Sequence, residues 1–224
     1  MKYLKNLALI PARAGSKGVP GKNYKMLNNK PLIVWTMHFI KSLNFIDYSI
    51  ISSDCNLIQN IALKENFNFL KRPKIISQDQ SLTEECVSHV IKKFTQKKIF
   101  FENILLFEPT VPLRKKETVE EIYNFFLKSE LDSLFTVTFC DKLIGKIKNH
   151  KFRSLSGDKR RRQEREQIFY ETGVVYIFKT KSFIKTKKIV DKNSFPFMVD
   201  KLESMDINDP LDFEIIKYVH SKNY

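Results

Sequence analysis

A chain of 224 residues, 42% of them hydrophobic, can bury one α/β core and is too short for two ordinary domains. Its formal net charge of +14 suits nucleoside polyphosphates and nucleic acids alike, so charge alone does not choose between them. The three cysteines (Cys55, Cys86, Cys140) are far apart and form no Cys-x-x-Cys, which excludes a zinc or disulfide framework, and no apolar run approaches the roughly 20 residues that span a bilayer. Met1 to Asn6 lead straight into an apolar run rather than a signal peptide, so a cytoplasmic protein in a reducing compartment, with no membrane partner, is expected.

The first element is a short strand, Leu7 to Ile10, which breaks into a loop of glycines, prolines and the cations Arg13, Lys17 and Lys22. A helix is predicted from Pro31, with Leu32, Ile33, Trp35, Thr36, Phe39, Ile40 and Leu43 forming a broad apolar face. Tyr48 to Ser53 reads as a strand, Asn56 to Asn66 as a helix, and Glu84 to Phe94 as a helix carrying Val87, Val90, Ile91 and Phe94 on one side. Asn103 to Phe107 is a buried-type strand before a Pro-rich turn, Glu117 to Lys128 a helix, and Leu131 to Phe139 a strand. Alternation of this kind predicts a mostly parallel, doubly wound sheet between two helical layers. Residues 141–167 are crowded with charge, including Lys159-Arg160-Arg161-Arg162; Phe169 to Phe178 returns to a strand, and a final helix is predicted from about Asp209.

The loop after the first strand carries the chemistry. Glycines let backbone approach phosphate oxygens and cations neutralise them, so strand, basic glycine loop and helix together predict a polyphosphate site. It is not a P-loop: five residues, Ser16 to Pro20, separate Gly15 from Gly21-Lys22, and Asn23 stands where a magnesium-binding hydroxyl belongs. No Gly-x-Gly-x-x-Gly is present either. Arg13, Asp54 and Glu108 all follow strand ends, where sites in such sheets lie.

Pro11 to Asn23 resembles, position by position, the signature Pro-Ala-Arg-x-Gly-Ser-Lys-Gly-x-x-x-Lys-Asn of the sugar cytidylyltransferases that make CMP-activated sialic acids and related nonulosonates. The resemblance continues through Leu27 to Leu32, Ser52-Ser53-Asp54, Arg72-Pro73, Pro109-Thr110, Pro112-Leu113-Arg114, Arg162-Gln163 and Ser204-Met205-Asp206-Ile207, nearly the whole chain in the family's order. It implies one Rossmann-like nucleotidyltransferase domain over 1–224, with 141–172 as a dimerisation and acceptor-site excursion. The implied reaction is attack by the anomeric hydroxyl of an acidic nine-carbon sugar on the α-phosphate of CTP, releasing pyrophosphate, with Mg2+ as cofactor and a homodimer as the working form.

By the same resemblance Arg13, Lys22 and Asp206 carry the catalytic charge work. Ala12, Gly15, Ser16, Lys17, Asn23, Arg72, Ser81 and Glu108 bind nucleotide beside Arg13 and Lys22. Lys146, Gln163, Arg165, Tyr170 and Thr172 face the acceptor, where an Arg fork suits a carboxylate. Asp206, Asn208 and Asp209 gather at the metal. The chain departs from the family pattern where Glu108 replaces glutamine, Val111 replaces serine, Leu143-Ile144 replaces His-Pro, Thr172 replaces asparagine, and Asn208 replaces the second carboxylate of Asp-x-Asp.

Three other readings compete. One is a 3-deoxy-octulosonate or another acidic sugar as acceptor; a second, a catalytically weak nucleotide-binding relative, explains Glu108, Asn208 and Thr172 together. A nucleic-acid partner explains the charge, but the aromatics interleaved with basic residues that RNA readers use are not evident, so none is expected.

Overall fold

The computed structural model describes residues 1–15, 17–157 and 161–223. Strand β1 (Lys2–Pro11) lies inside a seven-stranded sheet, and a strand covered on both faces needs apolar residues at consecutive positions. Leu7 to Ile10 supply them: Leu7 and Leu9 face one helical layer, Ala8 and Ile10 the other. The chain then makes a small hairpin, β2 (Met26–Leu27) with β3 (Lys30–Pro31), before helix α1 (Leu32–Lys41). There follow β4 (Tyr48–Ser53), α2 (Asn56–Lys64), β5 (Asn68–Lys71), α3 (Thr83–Gln96), β6 (Ile99–Leu106), α4 (Lys116–Lys128) and β7 (Ser133–Cys140). A second hairpin, β8 (Gly145–Lys148) with β9 (Lys151–Ser154), precedes β10 (Ile168–Lys179), α5 (Thr180–Thr186), β11 (Phe195–Met198) and α6 (Pro210–Asn223).

Sheet order is β11-β7-β10-β6-β1-β4-β5, and β10 alone runs against its neighbours. Helices α1, α2 and α4 cover one face through Ile33, Met37, Ile58, Ala62, Ile122 and Phe126; α3 and α5 cover the other through Val87, Val90, Phe94 and Phe183. The three-layer, doubly wound expectation therefore holds. Winding proceeds from β1 out to β4 and β5, then returns to β6 on the opposite side of β1. The switch point thus lies between β1 and β6, where a crevice opens past their carboxyl ends.

A third apolar cluster joins Val19 and Leu27 to Leu113, Ile207, Phe213 and Ile216, fixing α6 against the loop after β1. The apolar strand expected at 169–178 needs no partner chain to cover most of it: Val174 to Phe178 are buried between β6 and β7 of the chain's own sheet. Phe169, Tyr170 and Glu171 at its start remain exposed.

Candidate active site

Three segments meet at the switch point because their backbones are tied together. Lys22 Nζ donates to the Ile207 carbonyl, and Ile207 N donates to the Thr110 carbonyl at 3.0 Å, so the loop after β1, the loop after β6 and the turn before α6 share one edge. Gly18 makes this approach possible: a Cβ there would lie 1.8 Å from the Asn208 carbonyl oxygen. Ala14 N donates to Asp54 Oδ1 at 2.8 Å and Asn23 Nδ2 to the Arg13 carbonyl at 3.2 Å, which set the loop's shape from within and from the end of β4.

The cleft so formed has a volume of about 420 Å3. Arg13, Gly15, Lys17, Lys22 and Asn23 line it from the first loop, Arg72 and Ser81 from beyond β5, Glu108 from beyond β6, and Asp206 and Asn208 from the C-terminal turn. Most of the nucleotide-binding set expected from sequence therefore converges. Ala12 is buried beneath the loop, with its N–H on the Ser52 carbonyl, and Ser16 lies outside the described residues. Arg72 is buried and spends its donors on Ser52, from Nε to Oγ at 3.2 Å and from Nη2 to the carbonyl at 2.5 Å.

Electrostatics at the cleft floor are coupled. Burial pushes the Glu108 carboxyl up to about 7, helped by the nearby Asp206 charge, while Arg114 and Lys22 oppose the rise. Burial lowers the Lys22 ammonium, opposed chiefly by Asp206 and Glu108. One Asp206 oxygen, Oδ1, is buried with no hydrogen-bond partner among the described residues, which is costly unless a cation or donor meets it. Arg114, buried beneath, donates from Nη2 to the Glu108 carbonyl at 2.6 Å and from Nη1 to Thr36 Oγ1 at 3.2 Å, fixing the turn that carries Glu108.

A second cavity, of about 290 Å3, shares Thr83 and Glu108 with the first and is closed by Glu171 and Tyr176. Tyr176 donates to Glu171 Oε1 at 2.7 Å, and burial raises the phenol far above its ordinary value. Gly173 sits against Glu108; a Cβ there would lie 2.6 Å from Oε2. Glu108 is the wall between the two spaces.

The acceptor residues expected from sequence do not join this site. Thr172 is buried and bonded to Thr136, Oγ1 to Oγ1, at 2.8 Å. Lys146 and Tyr170 are exposed, while Gln163 and Arg165 line a separate cavity of about 320 Å3 with Cys140 and Lys142. Asp209 also departs from its expected place: its Oδ1 accepts from Asp212 N at 2.9 Å and Asp212 Oδ2 accepts from Asp209 N at 3.1 Å, a reciprocal cap on α6. Lys159 and Arg160 of the basic run lie outside the described residues.

Three contributors had no assigned role in the sequence reading. Asp79 lines the cleft, Arg114 holds the Glu108 turn, and buried Glu203 binds Lys115 N at 3.2 Å and Thr118 Oγ1 at 3.0 Å, anchoring the C-terminal segment to α4. Arg114 closes the Pro112-Leu113-Arg114 motif and Glu203 precedes another, but only packing tells a buried clamp from a surface charge.

The raised Glu108 gives a testable pH dependence. Its folded value lies above the ordinary 4.5, so its contribution to stability is fully present below about 4.5 and is lost as pH climbs towards 7. In the unliganded protein Glu108→Gln should raise the thermal unfolding midpoint at about pH 8 and leave it nearly unchanged at about pH 4.5. Melts of both proteins across this range check it; equal shifts at both ends would mean that Glu108 ionises freely.

Residues 7–192 match the model of a family described as cytidylyltransferase. The chain is 27% identical, over 97% of its length, to the N-acylneuraminate cytidylyltransferase of Escherichia coli O18:K1:H7, but spans only 52% of that protein. It is 29% identical to the CMP-N,N'-diacetyllegionaminic acid synthase of Legionella pneumophila, covering 97% of both chains. A solved structure of CMP:2-keto-3-deoxy-manno-octonic acid synthetase complexed with CTP superposes with a TM-score of 0.77 at 13% identity, over 98% of this chain and 100% of that one, a likeness of fold.

Proposed function

This chain belongs to the cytidylyltransferase family, and we propose that it transfers CMP from CTP to the anomeric hydroxyl of an acidic nine-carbon sugar. The observation that carries this reading is the convergence of Arg13, Lys17, Lys22, Arg72, Ser81 and Asp206 on one cleft at the sheet's switch point. The names of the relatives, one of them matched over nearly its whole length, support a nonulosonate as acceptor.

In the reaction the sugar hydroxyl oxygen forms a bond to the α-phosphorus, and the bond from that phosphorus to the bridging oxygen breaks as pyrophosphate leaves. Such transfers need alignment and charge neutralisation more than covalent help. Arg13 and Lys17 take the phosphate oxygens towards the leaving end, and Lys22 stands between them and the acids of the floor. Glu108, poised near neutrality, is matched to accept the hydroxyl's proton. The cavity beyond it gives the acceptor room on the other side of the α-phosphate.

Magnesium fits the C-terminal turn. Among the described residues no group of three or more His, Cys, Asp or Glu could hold a metal alone, and magnesium in nucleotide sites commonly relies on one or two carboxylates, substrate oxygens and water. Asp206, with its buried unpartnered oxygen, and Asn208 would hold it, and the ion would supply positive charge to the phosphates.

Incubation with CTP, magnesium and a panel of nonulosonates, followed by pyrophosphate release, tests the proposal. Release with a nonulosonate and not with 3-deoxy-octulosonate supports it; the reverse preference, or no release, overturns it.

We also propose a homodimer. Exposed Ile147 and Phe152 alternate with cations on the β8–β9 hairpin, and Leu155, Phe169 and Tyr170 are exposed as well. Light scattering should return twice the chain mass at micromolar concentration, and Ile147→Asp should shift it towards one. A monomer throughout would remove the acceptor role of 141–172.

A further inference from the structure

Two cations of the proposed triphosphate loop are already occupied. Arg13 Nη1 lies 3.1 Å from Asp79 Oδ1 and Lys17 Nζ 3.1 Å from Asp79 Oδ2, so a single carboxylate bridges both. Arg13 Nη1 also donates to the Gln78 carbonyl at 2.7 Å. Asp79 lines the same cleft, from a turn that Gln78 N closes on Ser81 Oγ at 3.0 Å. A pair of carboxylate oxygens held between a guanidinium and an ammonium occupies the place that non-bridging phosphate oxygens would take.

We propose that Asp79 is a selectivity gate for polyphosphate, an internal anion that competes with any ligand using both Arg13 and Lys17. The carboxylate and a phosphate draw on the same guanidinium edge and the same ammonium, so every such ligand meets this competition, whereas a ligand confined to the base and ribose end meets none. The gate therefore acts on the polyphosphate and not on the nucleoside. When pyrophosphate leaves, Asp79 returns to the cations and lowers the affinity of the product for the loop.

This inference rests on the assignment of the loop to phosphate, not on the identity of the base. The test is calorimetric titration of inorganic tripolyphosphate, CTP and CMP into the wild type, Asp79→Asn and Asp79→Ala at fixed ionic strength. Tripolyphosphate and CTP should both bind about five- to tenfold tighter to either variant, the range expected when two exposed ion pairs no longer compete. CMP affinity should not change. Unchanged or weaker tripolyphosphate binding in both variants, or an equal gain for CMP, would overturn the gate. Tighter tripolyphosphate binding with no binding of CTP would leave the gate standing and count against the cytidylyltransferase reading.

Discussion

Replacing Lys22 or Arg13 by alanine should lower turnover about a hundredfold, because the charge developing on pyrophosphate loses a charge-assisted partner worth about 3 kcal/mol. The two losses should differ in kind. Arg13 reaches the cleft from the loop and is held by Asp79 and the Gln78 carbonyl, so its removal leaves the floor intact and acts through the phosphates. Lys22 is half-buried, donates to the Ile207 carbonyl and offsets both Asp206 and Glu108. Lys22→Ala therefore also loosens the C-terminal turn and pushes Glu108 further up, moving the acid limb of the pH–rate profile to higher pH. Steady-state rates at saturating CTP and sugar, measured across pH, check both. Near wild-type rates in both variants would remove the loop from the phosphate site.

The layered sheet was legible because its signals are local. Leu7 to Ile10 and Asn103 to Phe107 are apolar at consecutive positions, as doubly covered strands must be, and α3 repeats its apolar residues at helical spacing. Strand β5 was missed because it is a four-residue edge strand with only Phe69 and Leu70 apolar. The β8–β9 hairpin was hidden in a charged stretch. Its turn is Asn149-His150, both at positive φ, rather than the Asn-Gly that announces such a turn, and its apolar residues alternate with lysine and arginine.

The cleft was legible where chemistry and backbone coincide, as at Arg13, Lys22 and Asp206. It was not legible where one residue type serves two ends. An aspartate before Pro210 can ligate a metal or cap a helix, and only the hydrogen bonds to Asp212 assign Asp209 to the cap. Asp79 in a polar turn carries no local mark of its two cationic partners, since they lie 66 and 62 positions away and meet it only through the sheet's winding.

Asp206→Ala should abolish turnover and the stabilisation of the protein by magnesium, because it removes the one carboxylate of the C-terminal turn that faces the cleft. With Asn208 in place of a second acid the turn is one charge short, so magnesium is held less tightly than two carboxylates would hold it. Asp209 is engaged in capping α6, which leaves Glu108 as the acid able to compensate. Glu108 must first lose a proton, and a group poised near 7 does so only partly at neutral pH. The magnesium concentration needed for half-maximal stabilisation should therefore fall as pH rises through 7, since proton and metal compete for the same charge. Glu108→Gln should raise that concentration and flatten its pH dependence, whereas Asn208→Asp should lower it and preserve turnover. Thermal-shift titrations with magnesium, with and without CTP, read these effects independently of activity. A silent Asp206→Ala would reduce the turn to a helix cap, and a magnesium requirement that Glu108→Gln leaves unchanged at every pH would remove Glu108 from the metal's surroundings.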